Sequence, residues 1–126
     1  AMALGEMGKD ALSAVPILVK ILENKQNSQH LAISTALALD KIDYQTLIYI
    51  LVKRLTDKEF GSVSLNILSN IAFKMKENKG NISNAELTNA ISEFEIALKM
   101  IDDSKSEFPK HKVEILRESV AVLKGS

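Results

Sequence analysis

Apolar residues recur along most of the chain with the 3.6-residue period of amphipathic helices, and no segment sustains the alternation of a strand. The segment from Ser83 to Asp103 is the clearest case, because its apolar residues share one sector of about 120° on a helical wheel. These residues are Leu87, Ala90, Ile91, Phe94, Ala97, Leu98 and Ile101. The pattern predicts an all-α chain.

Helix-start and helix-stop residues divide the chain into about seven predicted helices. We expect them at about 2 to 7, 9 to 23, 28 to 41, 44 to 55, 56 to 77, 83 to 103 and 109 to 124. Pro16 should break or kink the second helix near Ala14, since a proline removes one helical hydrogen bond. Side chains suited to N-caps support three later boundaries: Asp43, the pair Thr56 and Glu59, and the pair Ser83 and Glu86.

The predicted helix 28 to 41 is apolar around most of its circumference. Only a narrow polar ridge at His30, Ser34 and Lys41 interrupts the apolar residues. Such a helix has to be contacted from several sides, so we expect an inner helix in a stack of helix pairs.

One motif resembles a known repeat. From Ala3 to Leu22 the chain reads A-L-G-x-x-G-x-x-A-x-x-A-V-P-x-L-x-x-x-L, and A-x-x-x-A-L follows from Ala32 to Leu37. This pattern resembles the HEAT-like repeat of the phycobilisome lyase type. The resemblance implies a right-handed α-α superhelix, and it suggests that the chain is a fragment of a longer array.

Within that resemblance, residues 1–126 form one helical repeat domain with three parts. Residues 1–42 match the repeat clearly, and residues 43–78 look like a degenerate repeat. Residues 82–124 show no repeat consensus, and we expect them to form a terminal helical hairpin that caps the stack.

The resemblance also places a candidate binding site. In HEAT-type stacks the second helices of successive pairs line a concave face, which here implies helices 28 to 41 and 56 to 77. Their polar residues would present an aromatic ring, amides and cations to an extended peptide or a partner's loop. The candidate residues are His30, Ser34, Lys41, Asn66, Asn70, Phe73 and Lys74, with Leu37 beside them. We therefore expect a non-catalytic protein–protein interaction scaffold.

The composition narrows the kinds of partner and chemistry that we expect for this chain. The chain of 126 residues balances 16 basic against 16 acidic side chains, which argues against a partner held by phosphate neutralisation, such as nucleic acid. It has no cysteine, and its two histidines, His30 and His111, lack partners at metal-ligand spacing. We expect no metal, no cofactor and no catalytic residue. No apolar run is long enough for a membrane span, which favours a cytoplasmic protein without a membrane partner.

Other interpretations stay open. Some relatives implied by the resemblance are bilin lyase-type subunits that act on phycobiliproteins, and HEAT-like modules that bind nucleic acid also exist. An exposed repeat end would let two copies form a homodimer. Ile96 and Met100, one turn apart on the polar side of helix 83 to 103, either pack on the last helix or form an exposed contact patch.

Overall fold

The computed structural model describes residues 13–24, 28–57, 60–104 and 108–125, and these residues form helices and connecting turns without a strand. The all-α prediction is confirmed for this part of the chain. The described α-helices are α1 (Val15–Glu23), α2 (Gln29–Lys53), α3 (Gly61–Glu77), α4 (Asn84–Asp103) and α5 (Lys110–Leu123). Two short 3-10 turns, Arg54–Thr56 and Lys79–Asn81, follow α2 and α3. The predicted helix 2 to 7 lies outside the described residues.

A kink at Asp43 divides α2 into the two helices that the sequence predicts. Asp43 has a non-helical backbone, with φ of −154° and ψ of 78°. Its carboxylate accepts a hydrogen bond from the Thr46 backbone N–H at 3.2 Å and another from the Thr46 hydroxyl at 2.7 Å. Asp43 is therefore an internal N-cap for the second half of α2, as expected.

Other helix starts also follow local side-chain chemistry. The α1 helix begins at Val15, directly after Ala14, and carries Pro16 in its first turn, where a proline is tolerated. Ser83 caps α4: its Oγ accepts from the Glu86 backbone N–H at 3.2 Å and donates to the Glu86 carboxylate at 3.0 Å. The predicted helix start at Ser83 is confirmed, and α1 begins directly after Ala14, where a break was expected. Residues 9–12 of that predicted helix lie outside the described residues.

The predicted start of α3 at Thr56 is wrong. Thr56 ends a 3-10 turn, and α3 begins at Gly61. Asp57 makes the connection, because its carboxylate accepts from the Phe60 N–H at 3.4 Å and its carbonyl accepts from the Gly61 N–H at 2.8 Å. Glu59, the expected partner of Thr56, lies outside the described residues.

The chain divides into two compact units, Ala1–Ile50 and Leu51–Ser126. In the first unit, one side of the first half of α2 is buried, and its most buried residues are Ala32, Thr35, Ala36 and Leu39. Several other apolar residues of this half-helix are exposed to solvent. Leu31, Ile33 and Leu37 are 42%, 37% and 55% exposed.

The expectation that protein contacts this helix from several sides is therefore wrong at Leu31 and Ile33, whereas Leu39 is buried as expected. Hydropathy shows which side chains could be buried, but the number of neighbouring elements decides which of them are covered. The first half of α2 carries more apolar residues than its surroundings cover, so apolar side chains border its polar ridge.

In the second unit, α4 and α5 run antiparallel and α3 runs parallel to α5. The first orientation follows from two ion pairs, Lys124 with Glu95 at 2.9 Å and Arg117 with Asp102 at 3.4 Å. The second follows from contacts at both ends of α3: Gly61 lies beside Phe108, and Lys79 Nζ donates to the Val122 carbonyl at 2.9 Å. The last helix, α5, packs against both α3 and α4, which make little contact with each other.

Small residues allow α3 to pack closely on its neighbours. A Cβ atom on Gly61 would lie only 2.6 Å from the Leu55 carbonyl oxygen, so no larger residue fits there without movement. Ser64 and Ser119 are fully buried, on α3 and α5 respectively. Neither hydroxyl oxygen has a hydrogen-bond partner among the described residues, which indicates that serine serves here for its size.

Candidate binding surfaces

The first candidate surface is one face of α2, which we call the α2 strip and define as His30, Ser34, Leu37 and Lys41. All four residues are exposed. At 100° per residue they fall within an arc of about 60°, which is opposite the buried side of the helix. The strip thus joins a half-exposed leucine to a histidine, a hydroxyl and a lysine.

The second candidate surface is on α3, and we call it the α3 strip: Asn66, Asn70, Phe73 and Lys74. These residues are exposed, and the first three fall within an arc of about 60° with Lys74 at its edge. The opposite side of α3 is fully buried and is formed by residues such as Leu65, Leu68 and Ala72. The amphipathic pattern of α3 therefore positions all four predicted residues toward solvent.

Near its C-terminal end, the α3 strip carries an aromatic ring that is partly covered by a cation. Phe73 is 44% exposed, and the ammonium of Lys76 lies 4.4 Å from the centroid of its ring. Such a contact is favourable because the ring face carries negative charge density. The ring keeps an exposed surface beside the two asparagines.

The carboxamides of Asn66 and Asn70 make no side-chain hydrogen bond within the described part of the chain. The Asn66 backbone carbonyl accepts from the Ser69 hydroxyl at 2.9 Å, but this bond leaves its carboxamide available. A carboxamide offers both a donor and an acceptor, so each side chain can bind a peptide group or an equivalent polar partner.

The two strips belong to different compact units, and each is therefore described as a separate surface. The structure brings together the three predicted residues of the α2 strip on one face, and it does the same for the four residues of α3. That His30 shares a face with Asn66, Asn70 and Phe73 stays a prediction.

A third surface, which the sequence analysis did not identify, is a groove of about 460 Å³ between α4 and the end of α5. Leu87, Ile91 and Leu123 form its apolar part, and the pair Glu95 and Lys124 lies at its rim. In the sequence, this groove is indicated only by the apolar residues at positions 87 and 91 and by the hydroxyl residues that follow them. Asn84, Thr88 and Ser92 complete the lining.

The described residues contain no cluster of metal-ligating side chains. No group of three His, Asp or Glu side chains within them could hold a metal ion. Both histidines are exposed, and the α4 carboxylates Glu95 and Asp102 form ion pairs with Lys124 and Arg117.

Ile96 is 50% exposed, which favours the contact-patch alternative for this residue. None of the helices in the described ranges is long and apolar enough to cross a membrane.

A comparison with protein-family models, curated proteins and solved structures finds no match to this chain. The HEAT-like resemblance therefore depends on the motif from Ala3 to Leu37. The described part of that motif is helical from Val15 to Glu23 and again from Gln29.

Proposed function

We propose that this chain is a HEAT-like helical scaffold that binds a protein or peptide segment and catalyses no reaction itself. In a right-handed superhelix of this kind, the first half of α2 and α3 would be the second helices of successive pairs. The α2 strip and the α3 strip would then each present a separate binding surface. The all-helical fold and the repeat motif support this proposal.

The observation that carries it is the exposure of Phe73 beside a row of two asparagines with available carboxamides. Aromatic residues are enriched among the side chains that dominate binding energy at interfaces. Covering the exposed part of this ring would remove on the order of 90 Å² of apolar surface from water, or ~2 kcal/mol. That amount corresponds to roughly a 30-fold change in Kd.

Selection from a random peptide library tests the proposal. The library displays peptides of about twelve residues, long enough to follow a helix face, and is selected on the full chain. Enriched peptides are then synthesised, and their Kd values are measured by fluorescence anisotropy on the wild type and on Phe73→Ala. We expect enrichment of related sequences and a loss of at least ~10-fold in affinity with the variant.

Ile17→Ala is the matched control, because Ile17 is also a large exposed apolar residue but lies on a different helix, α1. It should bind the selected peptides like the wild type. A selection without enrichment would contradict the proposal. Equal affinity of the peptides for wild type and Phe73→Ala would remove the α3 strip as the binding surface.

A further inference from the structure

We infer that the α3 strip binds an extended peptide through its main chain, with Asn66 and Asn70 hydrogen-bonding to alternate peptide groups and an acidic side chain of the peptide beside Phe73. The inference rests on the proposed function and specifies the conformation and charge of the segment that would bind.

The spacing of the two asparagines is the first argument. Residues four apart on a helix are separated by ~6 Å along its axis, because the rise is 1.5 Å per residue. Alternate peptide groups on one edge of an extended chain repeat every ~6.6 to 6.8 Å. The two repeats differ by less than ~1 Å, which flexible carboxamide side chains can accommodate. Asn66 and Asn70 can therefore contact two successive groups on the same edge.

The polar row continues beyond the two asparagines. Ser62, Asn66, Asn70 and Lys74 follow one another at intervals of four residues, and all are exposed. Phe73 lies beside this row, so a peptide that runs along the row would direct a side chain over the ring. A row of hydrogen-bonding groups next to one apolar contact suits an extended main chain with alternating side chains.

The second argument is that the asparagines have no evident structural role within the described residues. Asparagine is a weaker helix former than alanine, glutamine or lysine, and these two positions are exposed in the middle of a helix. Their carboxamides stabilise no turn or cap in the described part of the chain. Two such residues on adjacent turns are explained by an external hydrogen-bonding partner.

Charge complementarity indicates an acidic peptide. Lys74 and Lys76 flank Phe73, and the Lys76 ammonium already lies 4.4 Å from the ring centroid. A glutamate or aspartate of the peptide could cover the ring with its methylene groups and place its carboxylate near that ammonium. Glu77, the last residue of α3, is exposed and repels carboxylates, so acidic side chains are expected beside Phe73 and not beyond it.

Peptides enriched by the library selection provide the probes. Asn66→Ala and Asn70→Ala should each weaken binding roughly five-fold, by a similar factor for peptides of unrelated sequence, because the main chain is common to all of them. Asn89→Ala, at an exposed asparagine of α4, is the matched control and should leave affinity unchanged. Circular dichroism melting of each variant verifies that it is folded.

N-methylation of the peptide main chain gives an independent test. Methylating peptide nitrogens one at a time should weaken binding at two alternate positions and have little effect at the position between them. Lys76→Glu should lower the affinity of acidic peptides, whereas an unchanged or higher affinity would overturn the charge argument.

The outcomes separate this inference from the proposed function. If Phe73→Ala abolishes binding while Asn66→Ala and Asn70→Ala do not, the scaffold proposal stands and main-chain recognition is wrong. Peptides that bind as helices, or that tolerate methylation at every position, would also overturn it. A selection without any enriched peptide would overturn both.

Discussion

Replacing Gly61 by alanine tests whether the contact between α3 and the preceding turn limits the size of this residue. The added Cβ would lie 2.6 Å from the Leu55 carbonyl oxygen, whereas ordinary contacts begin at 3.4 Å. The two groups must separate by a further ~0.8 Å to restore such a contact, since repulsion rises steeply at shorter distances. The neighbouring Phe108 ring, at 3.6 Å from the new atom, would be in normal contact.

The turn cannot move freely to make this space. Leu55 is buried in the 3-10 turn Arg54–Thr56. Arg54 pairs with Asp57 at 2.9 Å, and its guanidinium lies 4.0 Å from the centroid of the Phe60 ring. These contacts hold the turn against the start of α3. The strain caused by an alanine at position 61 would therefore spread into the surrounding core.

Overpacking of this kind costs about 1 to 3 kcal/mol, and the lower chain entropy of alanine in the unfolded state offsets about 0.5 to 1 kcal/mol. We therefore expect Gly61→Ala to lower the free energy of unfolding by ~1 kcal/mol, with an upper limit of ~2.5 kcal/mol, and Tm by roughly 4 to 8 °C. The assay is urea and thermal unfolding followed by circular dichroism at the helix band.

Gly80→Ala is the control, because a Cβ on Gly80 would meet nothing within 4 Å. It should be neutral or slightly stabilising. If Gly61→Ala were as stable as the wild type, the close approach of the Leu55 carbonyl would not limit the size of residue 61, and this prediction would be refuted.

Three further predictions concern stability and use the same unfolding assay. Asp43→Ala should cost ~1 kcal/mol, since both hydrogen bonds at the kink are lost, and Asp43→Asn should retain much of the stability. Ser64→Ala and Ser119→Ala should each be neutral or stabilise by up to ~1 kcal/mol, because a buried hydroxyl without a partner is removed; a clear loss of stability would contradict this. Leu39→Ala should cost ~3 kcal/mol while Leu37→Ala costs under ~1 kcal/mol, because only the first is buried; similar costs would show that Leu37 is covered.

Helix boundaries were predictable where a side chain satisfies its own backbone. Asp43 and Ser83 accept hydrogen bonds from residues three positions later, so their effect depends on local sequence alone. The start of α3 was predicted at the wrong residue, because two neighbouring residues, Thr56 and Asp57, could both act as its cap. Thr56 has the right spacing for a cap, but Asp57 and the buried 3-10 turn determine where the helix begins.

The candidate surfaces also differ in how much of them the sequence could predict. The exposure of Asn66, Asn70 and Phe73 follows from the amphipathic pattern of one helix, which the sequence contains. The exposure of Leu37 and the groove beside Leu87 depend on which elements cover a helix, and such long-range contacts leave no periodic signal.

The position of α5 against both α3 and α4 has a consequence for how the second unit folds. Because α3 and α4 contact each other little, they cannot bury their apolar faces on their own. Residues up to Leu123 must therefore emerge from the ribosome before this core can close. Formation of the unit is then expected to be a single cooperative event in which both partners acquire their core together.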